Sequence, residues 1–261
     1  MYRRNLSIIA WLAAYLFLGC TSEFASGGSV DGGSAPDDTS NIPRSGLQLW
    51  LRGDLGVIVA NGRVSRWADQ SGHGFDGTQS MVESRPMSVV KGIGARAAVR
   101  FDGVSGCLNL PPGMADFSQG LSIVAVVNEQ QPNSYNSIVE FSNGSEIDDI
   151  SFGQYQDKVA YEVADNSFTG SDINYDTPQL HTLVHRADTT LISRSNGELS
   201  GADQFALPDT VAREQNFIGQ SLYSGSVTYS GLIGELLVYS RGLTDSEVQI
   251  VETELRQRWS L

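Results

Sequence analysis

The sequence predicts an all-β fold: an antiparallel sandwich of two packed sheets with one C-terminal amphipathic helix. Three observations carry this. Apolar runs of strand length recur along the chain, each cut off by Gly, Asn, Asp or Ser. Glycine is abundant, 28 of 261 residues, as a turn-rich β chain requires. The pattern switches to a helical period only once, after Thr244. A hydrophobic content of 40% with 18% charged residues is the composition of a packed globular chain.

Taken in order, residues 1–20 open with Arg3 and Arg4. A run from Leu6 to Gly19 follows, apolar apart from Ser7, and ends on Cys20. The run is short of the ~20 apolar residues a membrane span needs and fits the apolar segment of a secretory leader. Leu16-Phe17-Leu18-Gly19-Cys20 resembles a bacterial lipobox, which implies lipid attachment at Cys20. Thr21 in the next position resembles the default for outer-membrane sorting, so the expected location is the cell envelope, held to the membrane through the N-terminal lipid alone. With Cys20 lipidated, Cys107 stands alone as a small buried apolar residue, and a disulfide framework is excluded.

Residues 21–45 are rich in Ser, Gly, Asp and Pro and read as a flexible tether with a mean reach of ~25–30 Å. The folded domain is then 46–261. It opens on the alternating strand Gly46-Leu47-Gln48-Leu49-Trp50-Leu51. Leu121 to Val127 reads as a buried central strand. Ser137–Phe141, Ile150–Tyr155, Lys158–Val163, Leu180–Arg186, Thr190–Arg194, Asn216–Gly219 and Gly231–Tyr239 complete the strands, with a hairpin turn at Tyr155-Gln156-Asp157-Lys158. Thr244-Asp245-Ser246-Glu247 is a capping box. Val248, Val251, Leu255 and Trp259 follow at helical spacing, as a stripe for core packing.

The formal net charge is −13, and −15 without Arg3 and Arg4. Such a chain repels phosphate backbones, which excludes nucleic acid as a partner.

Leu49-Trp50-Leu51-Arg52, the turn Trp67-Ala68-Asp69-Gln70-Ser71-Gly72-His73-Gly74-Phe75-Asp76-Gly77, Arg85-Pro86 and Ala98-Val99-Arg100-Phe101-Asp102-Gly103 form one block. Gly231 to Glu247 and Trp259 form another. Together they resemble the LamG-like, concanavalin A-like jelly-roll domains of bacterial surface proteins, over residues 46–261. The resemblance implies a jelly-roll topology. It also implies a structural calcium, for which Asp102 and Glu235 are the first candidates, since calcium takes six to eight oxygens from carboxylates and carbonyls.

Glucanases of related fold place carboxylates at alternate strand positions. Here Glu146-Ile147-Asp148 starts such a pattern, but Ile150 and Ser151 stand where the third acid belongs. Gln179-Leu180-His181 and Glu254-Leu255-Arg256 are similar to pieces of an alginate-lyase signature but occur in the wrong order. His181 and His185 on a strand lie over ~13 Å apart, too far to share a metal, and His73 sits in a solvated turn. The expected function is therefore a non-catalytic binding or adhesion module recognising carbohydrate, with Tyr155, Tyr161 and Tyr175 as candidates to stack on sugar rings. The alternatives are a polysaccharide hydrolase or lyase with an unrecognised site, and a structural envelope protein that binds another protein.

Overall fold

Each apolar run named above from Leu47 onward forms a strand, and the faces it covers explain its composition. The computed structural model describes residues 40–114, 116–131, 135–164, 166–223 and 226–261. The first strands are β1 (Leu47–Arg52), β2 (Val57–Ala60), β3 (Arg63–Trp67), β4 (Gly77–Thr78), β5 (Met87–Ile93), β6 (Arg96–Asp102) and β7 (Leu108–Leu110). The middle of the chain holds β8 (Gly120–Glu129), β9 (Tyr135–Ser142), β10 (Ile150–Tyr155), β11 (Lys158–Val163) and β12 (Asn166–Asp172). Then come β13 (Gln179–Arg186), β14 (Thr190–Ser195), β15 (Glu198–Gln204), β16 (Gln215–Ile218), β17 (Ser230–Tyr239) and the helix α1 (Asp245–Trp259).

All named strand pairs are antiparallel. One run of neighbours is β12-β11-β10-β9-β16-β7-β4-β3-β2. The other is β15-β14-β13-β8-β17, where β17 divides its far edge between β1 and β6, and β6 continues to β5. Two separate sheets were expected. Instead, Arg63 of β3 pairs with Met87 of β5 and joins the two runs into one hydrogen-bonded network. At the other side β12 lies against β14 and β15, where the Ser171 hydroxyl donates to Ser195 Oγ at 3.0 Å. The result is a barrel-like antiparallel sheet.

Two apolar clusters organise it. The first fills the barrel and includes Trp67, Phe101, Phe141, Phe152, Tyr161 and Leu236. The second lies outside it, between β1, β8, β13 and β17 and the stripe Val248, Val251, Leu255 and Trp259 of α1. Strands β8 and β17 are thus covered on both faces, which is why they read as unbroken apolar runs.

The capping box of α1 forms in full. Glu247 N–H donates to Thr244 Oγ1 at 3.3 Å, and Thr244 N–H donates to Glu247 Oε2 at 2.9 Å. No helix of the described residues is long and apolar enough to cross a membrane.

Ordered contacts begin before β1. Ile42 is buried in the outer cluster, and Glu254 of α1 accepts hydrogen bonds from Ser40 Oγ at 2.5 Å and Asn41 N–H at 2.7 Å. The last residues of the expected tether are therefore part of the folded body. Cys107 also departs from expectation. It is fully buried and disulfide-bonded, and the only other cysteine of the chain is Cys20.

Candidate functional site

Alternation along β9, β10 and β11 sends Phe141, Ile150, Phe152, Tyr161 and Val163 into the barrel and their neighbours outward. The outward set pairs in register: Glu140 with Ser151, Ser151 with Glu162, and Tyr135 with Tyr155. Between these rows the register shifts by one residue at Phe152/Gly153. This bulge lets Ser137 and Glu140, three apart, share one face, and the Ser137 hydroxyl donates to Glu140 Oε2 at 3.4 Å. Gly153 is required opposite the bulge, since a Cβ there would lie 2.2 Å from the Asn136 carbonyl oxygen.

The loop after β16 folds back over this face. Gly219 N–H donates to the Ile138 carbonyl and Val227 N–H to the Tyr135 carbonyl, each at 3.0 Å. Leu222 N–H donates to Glu140 Oε1 at 2.8 Å. The Tyr223 ring then sits 5.2 Å from the Tyr135 ring. Tyr223, Tyr135 and Tyr155 form a row. The outer two are 43% and 45% exposed, and the middle one is 6% exposed.

Below the row the face is acidic and partly dry. Burial pushes the Glu140 carboxyl up to about 7, against hydrogen bonds from Ser221, Leu222 and Ser137 that favour the anion. Burial also raises half-buried Glu162, with the Tyr135 hydroxyl as its opposing partner. Two exposed aromatic rings flanking hydroxyls and carboxyls are the chemistry that recognises a sugar: the rings offer apolar faces and the polar groups take its hydroxyls.

Of the residues chosen from sequence, Tyr155 lies on this face. Tyr161 does not. It is fully buried inside the barrel, stacked at 6.1 Å on Phe205, with its hydroxyl 3.2 Å from His185 Nδ1. Tyr175 lies at the barrel end below the β10–β11 turn. Its hydroxyl accepts from Gln154 Nε2 at 2.6 Å and donates to Asp157 at 3.0 Å, which holds it in a local network.

Asp102 and Glu235 do not form one calcium site. Ser230 of β17 pairs with Asp102, and Glu235 lies five positions further along, on the order of 15 Å away. Asp102 Oδ1 is occupied by the N–H groups of Val104, Ser105 and Gly106, each at 2.9 Å. Glu235 is buried between Trp50 Nε1 and Trp259 Nε1, both at 2.6 Å, and Arg258 Nη1 at 2.5 Å. Burial raises its pKa, and the Arg258 guanidinium opposes the shift. Among the described residues no group of three or more His, Cys, Asp or Glu is arranged to hold a metal ion. Cys20 lies outside the described residues.

Glu146 and Asp148 belong to a turn before β10, with φ of 60° and 55°, and not to a strand face. His181 and His185 both point into the barrel. His181 contacts Glu129 at 3.2 Å through Nε2 and Ser195 at 2.7 Å through Nδ1, a buried relay that ties β8, β13 and β14 together. Tyr135, Tyr223, Glu140 and Glu162 were not singled out from sequence. Tyr135, Glu140 and Glu162 are brought together by strand pairing and a bulge, and Tyr223 by a returning loop.

No protein-family model matches the sequence, and no curated protein sequence matches it. Solved structures do match in fold. Domain 4 of an extracellular GH43 arabinanase from Geobacillus stearothermophilus, in complex with arabinotriose, aligns at TM-score 0.57 and 16% identity over 80% of this chain and 98% of that one. The binding domain of Paraclostridial Mosquitocidal Protein 1 aligns at TM-score 0.57 and 11% identity, over 80% and 52% of the two chains. Trypanosoma rangeli sialidase in complex with the inhibitor DANA aligns at TM-score 0.55 and 17% identity, over 81% of this chain and 33% of the sialidase. The chain thus spans about one third of the sialidase's length. At these identities the likeness is one of fold: β-rich domains of glycosidases and a binding domain.

Proposed function

We propose that this chain is a carbohydrate-binding module of the concanavalin A-like jelly-roll type, exported and, in the form whose Cys20 is not in a disulfide, held at the outer membrane by a lipid on Cys20. The observation that carries the binding reading is the row Tyr223, Tyr135 and Tyr155 above Ser151 and Glu162. Its two outer rings are exposed, and its middle ring is fixed by packing. Rigid aromatic platforms stack on sugar rings with little loss of side-chain freedom. Carbohydrate recognition also draws support from the fold of the arabinanase domain, solved with arabinotriose.

The test uses the full chain, purified in detergent, on a panel of neutral and acidic polysaccharides. The expected result is selective binding that falls about tenfold in Tyr155→Ala and in Tyr223→Ala, the loss typical of one anchoring aromatic. Melting temperatures should stay near the wild-type value, because both rings are half exposed. Retention of full affinity in both variants would remove the tyrosine row from the site. Reducing ends released by the wild type and not by Glu140→Gln would replace binding with hydrolysis as the function of this face.

A further inference from the structure

We propose that a second site, a cleft lined by Arg63, Arg85 and Arg100, binds the anionic group of an acidic sugar through the unpaired Arg100 guanidinium. The cleft encloses about 450 Å³ and is lined by these arginines together with Asp102, Asp176 and Gln130 among others. That volume is within the usual range of small-ligand sites. It opens at the end of the barrel where β6 and β8 finish and β17 begins.

The arginines are placed by the main chain and not by acids. Arg63 Nη1 donates to the Arg85 carbonyl at 2.9 Å. Arg85 donates through Nε to the Gln79 carbonyl at 2.7 Å and through Nη2 to the Ser80 carbonyl at 3.1 Å. Carbonyls orient a guanidinium without cancelling its charge. Arg100 is exposed on β6, paired through its backbone with Leu232 and Met87, and its guanidinium has no hydrogen-bond or ion-pair partner among the described residues.

The two aspartates of the lining do not neutralise this set. The lining counts three arginines against two aspartates, and one of those aspartates, Asp102, turns Oδ1 to the N–H groups of its own loop. A cleft with excess positive charge stands out on a chain of net charge −13. On such a chain the general field repels anions, so an anion that stays must be held locally by directed contacts. The planar guanidinium fork matches a carboxylate in two parallel hydrogen bonds. The Gln130 amide adds a donor and an acceptor for neighbouring hydroxyls. That the anion is carried on a glycan rests on the binding function proposed above; the preference for an anion does not.

The experiment titrates the full chain, in detergent at low salt, with oligogalacturonate, its methyl ester and dextran sulfate. Free glucuronate is scored separately by melting temperature. The expected result is at least tenfold tighter binding of oligogalacturonate than of the ester, a similar loss in Arg100→Gln, and weakening by salt. Tight binding of dextran sulfate in place of oligogalacturonate, lost in Arg100→Gln, supports the cleft and assigns sulfate as the anion. Equal affinity for acid and ester, or full affinity in Arg100→Gln, overturns the proposal.

A glucuronate-induced rise in melting temperature, absent in Arg100→Gln, upholds the cleft even where no polysaccharide binds. Binding lost in Tyr155→Ala but intact in Arg100→Gln keeps the tyrosine face and overturns the cleft. If Arg100→Gln lowers the melting temperature by itself, the acid-against-ester comparison on the wild type decides.

Discussion

Burial raises Glu140 to about 7, and the sign of its contribution follows from that. Between the unfolded value near 4.5 and the folded value near 7 the native state binds a proton that the unfolded chain has released. Stability therefore falls as pH rises through that window, and the loss is complete above it, to the extent of about 3 kcal/mol. Glu140→Gln keeps an acceptor for Leu222 N–H and cannot ionise. Melting temperatures measured from pH 4.5 to 8 should decline less in this variant than in the wild type, and at pH 8 the variant should be the more stable. Parallel profiles would show that Glu140 ionises freely in the fold.

The buried relay of Glu129, His181 and Ser195 makes the opposite case. His181→Ala leaves the Glu129 carboxylate in the barrel with only Gln179 Nε2, at 3.3 Å, still donating to it. Leaving a buried acceptor without its hydrogen-bond partner costs about 1–3 kcal/mol. Denaturant unfolding should show a loss of this order, and a loss under 1 kcal/mol would mean water replaces the imidazole. At this scale the site was half legible. Tyr155 follows from a recognisable two-residue turn. Glu140 reads in sequence as an ordinary outward residue, because neither the bulge nor the loop that dries it has a local signature.

Among the elements, α1 was the most legible because its signals are local. The capping box and the apolar stripe lie within one segment, and both form as read. Glu235, a candidate metal ligand from the resemblance, receives the helix. Two indole N–H groups, one from β1 and one from the last residue of α1, meet its two oxygens. Trp259→Phe keeps most of the packing and removes one donor, leaving Glu235 Oε2 without its indole partner. The expected cost is about 1–3 kcal/mol, read by thermal unfolding, as for a buried acceptor left unsatisfied. If Trp259→Phe matches the wild type, packing alone docks the helix.

Strands β12 and β15 escaped the sequence reading for a related reason. Of the seven residues of β12 only Phe168 is buried, and β15 buries none. Both end their runs of paired strands and meet each other through polar residues, so the alternation that marks a half-buried strand is missing.

At the scale of the whole molecule, the closing of the two strand runs into one barrel was not legible, because it depends on short contacts between segments distant in sequence: Arg63 with Met87, flanked by Val64 N–H to the Pro86 carbonyl and Ser88 N–H to the Gly62 carbonyl, and β12 against β14 and β15. The two cysteines pose the same kind of long-range question. A thioether at Cys20 would use the sulfur that a disulfide needs, so lipid attachment there and a disulfide between Cys20 and Cys107 exclude each other within one chain. Cys107 is disulfide-bonded in the fold, with Gln79 Nε2 at 3.5 Å from its Sγ. Disulfides persist in oxidising compartments and lipobox processing occurs on exported chains, so either state would fit the export proposed above. The forms separate by mass. Protein extracted from envelopes is denatured and alkylated without reduction, then digested. The anchored form should give a lipid-modified N-terminal peptide beginning at Cys20 and an alkylated Cys107 peptide. A Cys20–Cys107 cross-linked peptide, with no lipid adduct, would discard the anchor and leave a disulfide-closed protein.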